Sequence, residues 1–170
     1  MSLRIRPARP ADADAVGRIW ASAWRDGHLG HVPEELVAVR TPESFLARAA
    51  DRVADTVVAV VEAGGTAQVA GFVMLAGDEV EQIFVDAAHR GTDVATALLT
   101  KAERLLAAAG HDEAWLAVAT GNARARRFYE RRGWTDAGDL DYAAKVPGRP
   151  PIHVPTRRYV KRLGTPEPLR

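Results

Sequence analysis

Residues 80–110, VEQIFVDAAHRGTDVATALLTKAERLLAAAG, restrict the fold more than any other stretch. Residues 80–85 are rich in β-branched and aromatic side chains and read as a buried strand. The helix that follows starts at Thr92 or Asp93, either of which can serve as N-cap. Its apolar positions, Val94, Leu98, Ala102, Leu105 and Ala109, recur at helical spacing, and Leu99 and Leu106 widen the stripe. Gly110 stands where a left-handed residue ends a helix. A strand feeding a helix through His89-Arg90-Gly91-Thr92 suggests an anion site. The first N–H groups of the helix lack carbonyl partners, the helix dipole favours negative charge, and Arg90 adds a charged donor.

The other elements can be ordered around this unit. Leu3 and Ile5 alternate with Arg4 and Arg6 as in a half-buried strand. Pro10-Ala11-Asp12-Ala13-Asp14 opens a helix with an apolar face of Ala15, Val16, Ile19, Trp20 and Ala23, broken over residues 27–30. Thr41-Pro42-Glu43 starts a second helix that carries Phe45, Leu46 and Ala49 inward and ends over 51–53. Residues 56–61 and 69–75 form a strand pair across Gly64-Gly65. Gly77-Asp78 turns the chain into the strand at 80–85. Three strands joined by short turns imply an antiparallel meander, and the strand at 114–119, beyond the helix, implies a parallel crossover. Asn122 caps a helix over 123–132 that Gly133 ends. Residues 139–146 and 154–163 are the last strands, with 147–151 a stiff loop.

Composition removes several function classes. A chain of 170 residues fits one domain with a substantial core, here residues 1–164, and Pro166 and Pro168 make 165–170 a flexible tail. Zero cysteines exclude disulfides, thiol nucleophiles and cysteine metal sites, and fit a reducing, cytoplasmic setting. The net charge of +1 gives no global field for nucleic acid or membrane, and no apolar run is long enough to span a bilayer. The arginines at 124, 126, 127, 131 and 132 could still mark a nucleic-acid helix, but no recognised motif accompanies them. His28-x-x-His31 has metal-like spacing without a third ligand, so no metal is expected.

Two segments carry a family resemblance. Arg90, Gly91, Thr92, Asp93, Val94 and Ala95 follow Arg/Gln-x-x-Gly-x-Gly/Ala, except that Asp93 stands where glycine is usual. Asn122 through Ala125, Phe128, Tyr129, Gly133 and Trp134 follow Asn-x-x-Ala-x-x-Phe-Tyr-x-x-x-Gly-Phe/Trp. In this order and spacing the chain resembles the GNAT N-acetyltransferase superfamily over most of residues 3–146. The resemblance implies an α/β fold of mixed α+β type, a three-layer sandwich around a twisted central mixed sheet. It implies acetyl-CoA as cosubstrate and direct N-acetylation of a primary amine on a small molecule or peptide, and it suggests a homodimer.

Acetyl transfer needs a base to deprotonate the amine, a donor for the carbonyl oxygen, and an acid for the leaving thiolate. By resemblance Tyr129 is the acid and Glu81 the base, with Glu79 its alternative on the same strand face. A backbone N–H near Phe84 or Val85, at a strand bulge, would stabilise the oxygen. Arg90, Gly91, Thr92, Asp93, Val94, Ala95 and Thr96 would hold the pyrophosphate. Asn122 would bind the pantetheine arm, cap its helix, or both. Trp24 and His28 would wall the acceptor, with Trp20 packing its helix on the sheet. Asp93 motivates the rival reading, a GNAT-fold protein with weakened or lost acetyl-CoA binding that serves as a binding module.

Overall fold

A computed structural model describes residues 2–164, and the tail expected over 165–170 lies outside them. The alternating N-terminal segment forms β1 (Ser2–Pro7). A 3-10 turn at Pro10–Asp12 then leads into α1 (Ala13–His28), so the helix begins later than Pro10. Asp12 explains the delay: its carboxylate accepts from Nη1 and Nη2 of Arg6, at 2.7 and 3.1 Å, and from the Arg9 N–H at 2.7 Å. The Arg6 bonds hold the Asp12 carboxyl below the usual range and tie the strand end to the helix start.

A short helix absent from the sequence reading, α2 (Glu34–Val39), precedes α3 (Pro42–Asp51), whose N-cap Thr41 accepts from the Ser44 N–H. Phe45 and Ala49 are buried as expected, but Leu46, at the edge of the α1–α3 seam, is 37% exposed. There α1 approaches closely enough that a Cβ on Gly17 would sit 2.9 Å from the Leu46 Cα. The meander follows as β2 (Thr56–Ala63), β3 (Thr66–Ala76) and β4 (Glu79–Val85), then α4 (Val94–Ala108), β5 (Glu113–Ala119) and α5 (Ala123–Arg131). The last strands are longer than predicted, β6 (Thr135–Val146) and β7 (Arg149–Arg162). The expected stiff loop shrinks to a turn at Pro147 and Gly148. Its prolines fit inside β7 because β7 pairs with β5 only from Thr156 onward, leaving its earlier donors free to be absent on that side.

The strands form one sheet in the order β1-β2-β3-β4-β5-β7-β6. All neighbours are antiparallel except β4 and β5, which the α4 crossover makes parallel. Alternation along β2 splits the core. Val57, Ala59 and Val61 join the α4 cluster with Leu98, Leu99 and Leu106, whereas Val58 and Val60 join Trp20, Phe45 and Phe72 under α1 and α3. The result is helices on both faces of a mixed sheet.

Candidate active site

The parallel pair β4–β5 is registered at a single position, Glu79 with Trp115, so the strands part toward Val85 and Ala119. The backbone edges of both strands line this gap. β4 is also bulged against β3: Met74 pairs with Gln82 and Leu75 with Val80, leaving Glu81 as the extra residue. The bulge therefore lies nearer the start of β4 than Phe84 or Val85, where it was expected. A strict alternation would put Glu79 and Gln82 on opposite faces, and the extra residue brings both to the α1 side.

A cavity of about 150 Å³ opens on that side, and Glu79, Glu81, Trp24 and His28 all line it, joined by Ala117 and Ala119 of β5. The two acids differ in environment. Both Glu81 oxygens are taken by Arg52, at 3.0 and 2.9 Å. Glu79 is free of any such pair and accepts one hydrogen bond from the Tyr142 hydroxyl at 2.7 Å. Burial lifts the Glu79 carboxyl above the ordinary glutamate range, and the Tyr142 bond only partly opposes it. Trp24 stacks on His28 with ring centroids 4.8 Å apart. The His28 Nδ1 lies 2.9 Å from the Trp24 carbonyl, which makes Nδ1 the donor, and burial pulls the ring pKa down to about 4. Trp24 is a wall of the cavity and a packed side chain at once.

The loop between β4 and α4 keeps its amides open. Gly91 has φ of 74°, a conformation that costs any other residue strain. Asp93 occupies the N-cap but its side chain makes no cap bond and is exposed. The Thr92 hydroxyl turns to the His89 carbonyl at 2.5 Å and approaches the Val94 N–H only to 3.5 Å. The N–H groups of Ala95 and Thr96 carry no side-chain cap. Arg90 reaches across to Asp26 of α1, 2.5 Å away.

The other expected residues fall elsewhere. Asn122 caps α5, accepting from the Ala125 N–H at 3.2 Å. Tyr129 does not line the cavity. It is 8% exposed in the α4-side core, against Trp134 and Tyr159, and burial raises its phenol well above the usual range. His31 lies over Gly121, where an added Cβ would meet its ring. Arg126 is bound to Tyr159, Thr120 and Asp136, while Arg124, Arg127, Arg131 and Arg132 are solvent-exposed. No cluster of metal-ligating residues occurs among the described residues.

Sequence reasoning missed Arg40, Arg48, Tyr142 and Lys145, which all line the cavity. Arg48 carried a signal: three residues after Phe45 and one before Ala49, it sits on the inward side of α3. Arg40, Tyr142 and Lys145 carried none, because only the tertiary fold brings α2 against the β6 end.

Comparisons with known proteins place the fold. No curated protein sequence matches the chain significantly. Among solved structures, a GCN5-related N-acetyltransferase from Rhodopseudomonas palustris is 22% identical with a TM-score of 0.70, covering 96% of this chain and 97% of that one. The PaiA N-acetyltransferase from Thermoplasma acidophilum, in complex with coenzyme A, is 17% identical with a TM-score of 0.68, covering 95% and 99%. YncA from Salmonella typhimurium, a putative acetyltransferase with its cofactor acetyl-CoA, is 19% identical with a TM-score of 0.68, covering 100% and 99%. A family model for the acetyltransferase (GNAT) family matches residues 13–134, from the start of α1 to the end of the Asn122–Trp134 motif, and the chain belongs to that family.

Proposed function

We propose that the chain transfers acetyl from acetyl-CoA directly to a primary amine of a small molecule or peptide, with Glu79 as base and Tyr129 as acid. The single observation that carries this reading is the β4–β5 gap beside a cavity that holds a half-buried carboxylate with no cationic partner. As a member of an acetyltransferase family the chain is an acyltransferase enzyme. The residues fit the cosubstrate: the gap exposes strand edges, and the α4 amides are not taken by Asp93. Arg90, Gly91, Thr92, Val94, Ala95 and Thr96 would hold the pyrophosphate, and Asn122 would meet the pantetheine arm.

Acetyl-CoA supplies a thioester whose carbonyl carbon bonds to the amine nitrogen as the C–S bond breaks. Glu79 replaces Glu81 as the base because Arg52 occupies both Glu81 oxygens. Its raised pKa makes it a stronger proton acceptor than an ordinary glutamate, and it takes the ammonium proton directly or through a water. Tyr129 is assigned as the acid for the departing sulfur from the Asn122–Trp134 motif; its ring packs in the α4-side core and does not line the cavity. Trp24 and His28, the latter neutral at pH 7, wall the acceptor without repelling a cationic amine.

The test is thiol release from acetyl-CoA over a panel of primary amines, with Tyr129→Phe and Glu79→Gln as controls. Turnover by the native chain and a large loss of kcat in both variants are expected. Acetyl-CoA binding without turnover of any amine would contradict the enzyme reading and favour a binding module.

A further inference from the structure

The cavity holds more positive charge than its carboxylates balance. Arg40, Arg48 and Lys145 line it against Glu79 and Glu81, and Glu81 is already neutralised by Arg52 from outside. Arg40 is 6% exposed and makes one side-chain bond, from Nη2 to the Lys145 carbonyl at 2.8 Å. Arg48 lays its guanidinium over the Trp20 ring, 4.2 Å from the centroid. Neither arginine has a carboxylate within salt-bridge distance among the described residues. Five other partly buried arginines, Arg6, Arg52, Arg90, Arg126 and Arg157, are ion-paired.

A buried guanidinium with no counter-ion, as at Arg40, is costly, and the half-buried Arg48 facing the same cavity adds to that cost. Burial drives the Arg48 pKa down to about 10, with Arg40 adding to the effect, and lowers Arg40 as well. Trp20, on the same wall, keeps its indole N–H buried with no acceptor. The two guanidiniums are the donors that would meet an anion in the cavity, and the forked guanidinium suits a planar carboxylate or a tetrahedral oxyanion.

We propose that the acceptor is a small zwitterionic amine, its anionic group held by Arg40 and Arg48 and its amine facing Glu79. This rests on the acetyl-transfer reading, and it narrows the acceptor to amino-acid-like molecules carrying a carboxylate or phosphonate. A wider cavity of about 430 Å³, sharing Arg48, Glu81 and Lys145, abuts the first and gives room for a longer side chain.

The experiment has two arms. In the first, acetyl transfer is measured with the proteinogenic amino acids, their methyl esters, and matched aminoalkylphosphonates. At least one anionic amine should exceed its ester by about tenfold or more in kcat/KM, since a site built to bind a polar group rejects an analogue lacking it. The advantage should vanish in Arg48→Gln and return in part in Arg48→Lys. Carboxylate and phosphonate arms separate the two anion sources. In the second arm, thermal melting with the same probes reads binding without acetyl-CoA. Stabilisation by an anionic probe, lost in Arg40→Gln and Arg48→Gln, is expected. Turnover of esters as fast as acids would overturn the anion site while leaving acetyl transfer standing. Anion binding without turnover would overturn the acetyl-transfer reading and leave the anion site. Neither preference nor stabilisation would overturn the proposal outright.

Discussion

Around the loop that joins β4 to α4, the proposed binding groups are backbone amides from one continuous stretch. Around Glu79 they are side chains delivered by α1, α2, α3, β4, β6 and β7. The loop needs only a strand, a left-handed glycine and a helix start to present its donors. The cavity needs α2, α3 and the β6–β7 hairpin to arrive together, as the Arg40 bond to the Lys145 carbonyl illustrates. A backbone-built site tolerates side-chain change and fails when its backbone geometry is denied. A side-chain-built site fails one residue at a time.

The sharpest way to break this contrast is in the cavity. Glu79→Gln should lower kcat/KM by about 100- to 10,000-fold, the range for a lost general base, while acetyl-CoA affinity holds. Glu81→Gln should cost far less activity, because Arg52 already neutralises that carboxylate. Steady-state kinetics on the two variants checks this, and equal losses would erase the distinction between them. Stability should move the opposite way to activity. The folded Glu79 pKa is raised, so the native state binds the proton more tightly than the unfolded chain. Its contribution to stability therefore falls as pH rises from the ordinary value of 4.5 through its raised folded value. Glu79→Gln should melt higher than the native protein at pH 7, read by calorimetry.

On the loop side, Gly91→Ala should have the next largest effect. A non-glycine residue at φ 74° is strained by about 1–3 kcal/mol, which could weaken acetyl-CoA binding by roughly 5- to 150-fold if the loop relaxes out of shape. Arg90→Gln should weaken it less, because an exposed charge contributes about 0.2–1 kcal/mol. The smallest change expected is in Asp26→Asn, which frees Arg90 and should tighten acetyl-CoA binding by a few-fold at most. If Arg90→Gln proved far worse than Gly91→Ala, the loop would be a side-chain site after all.

This contrast also explains what could be read before the structure. The strand, the Gly91 turn, the α4 stripe and the Asn122 cap are local, and periodicity and turn chemistry carry them. The Gly64-Gly65 hairpin and the parallel crossover were legible for the same reason. The stripe was read slightly off centre: Leu99 and Leu106 are buried, while Ala109 lies past the helix end and is exposed. The β4 bulge was expected later in the strand because a one-residue slip between paired strands leaves no mark in composition. The α2 helix was invisible, since six residues rich in glutamate and valine, EELVAV, carry too few turns to show a period. The choice between Glu79 and Glu81 turned on Arg52, which lies on the far side of two strands in sequence. Asp93 looked like an obstacle from sequence alone, yet its side chain neither caps α4 nor is buried.

The central claim is that this loop and the β4–β5 gap bind acetyl-CoA despite Asp93. Calorimetric titration of acetyl-CoA into the native protein and Asp93→Gly, side by side, tests it most directly. The account predicts micromolar binding by the native chain and at most about a fivefold gain with glycine, the effect of removing one exposed charge. No binding by the native chain, with or without rescue by glycine, would contradict it.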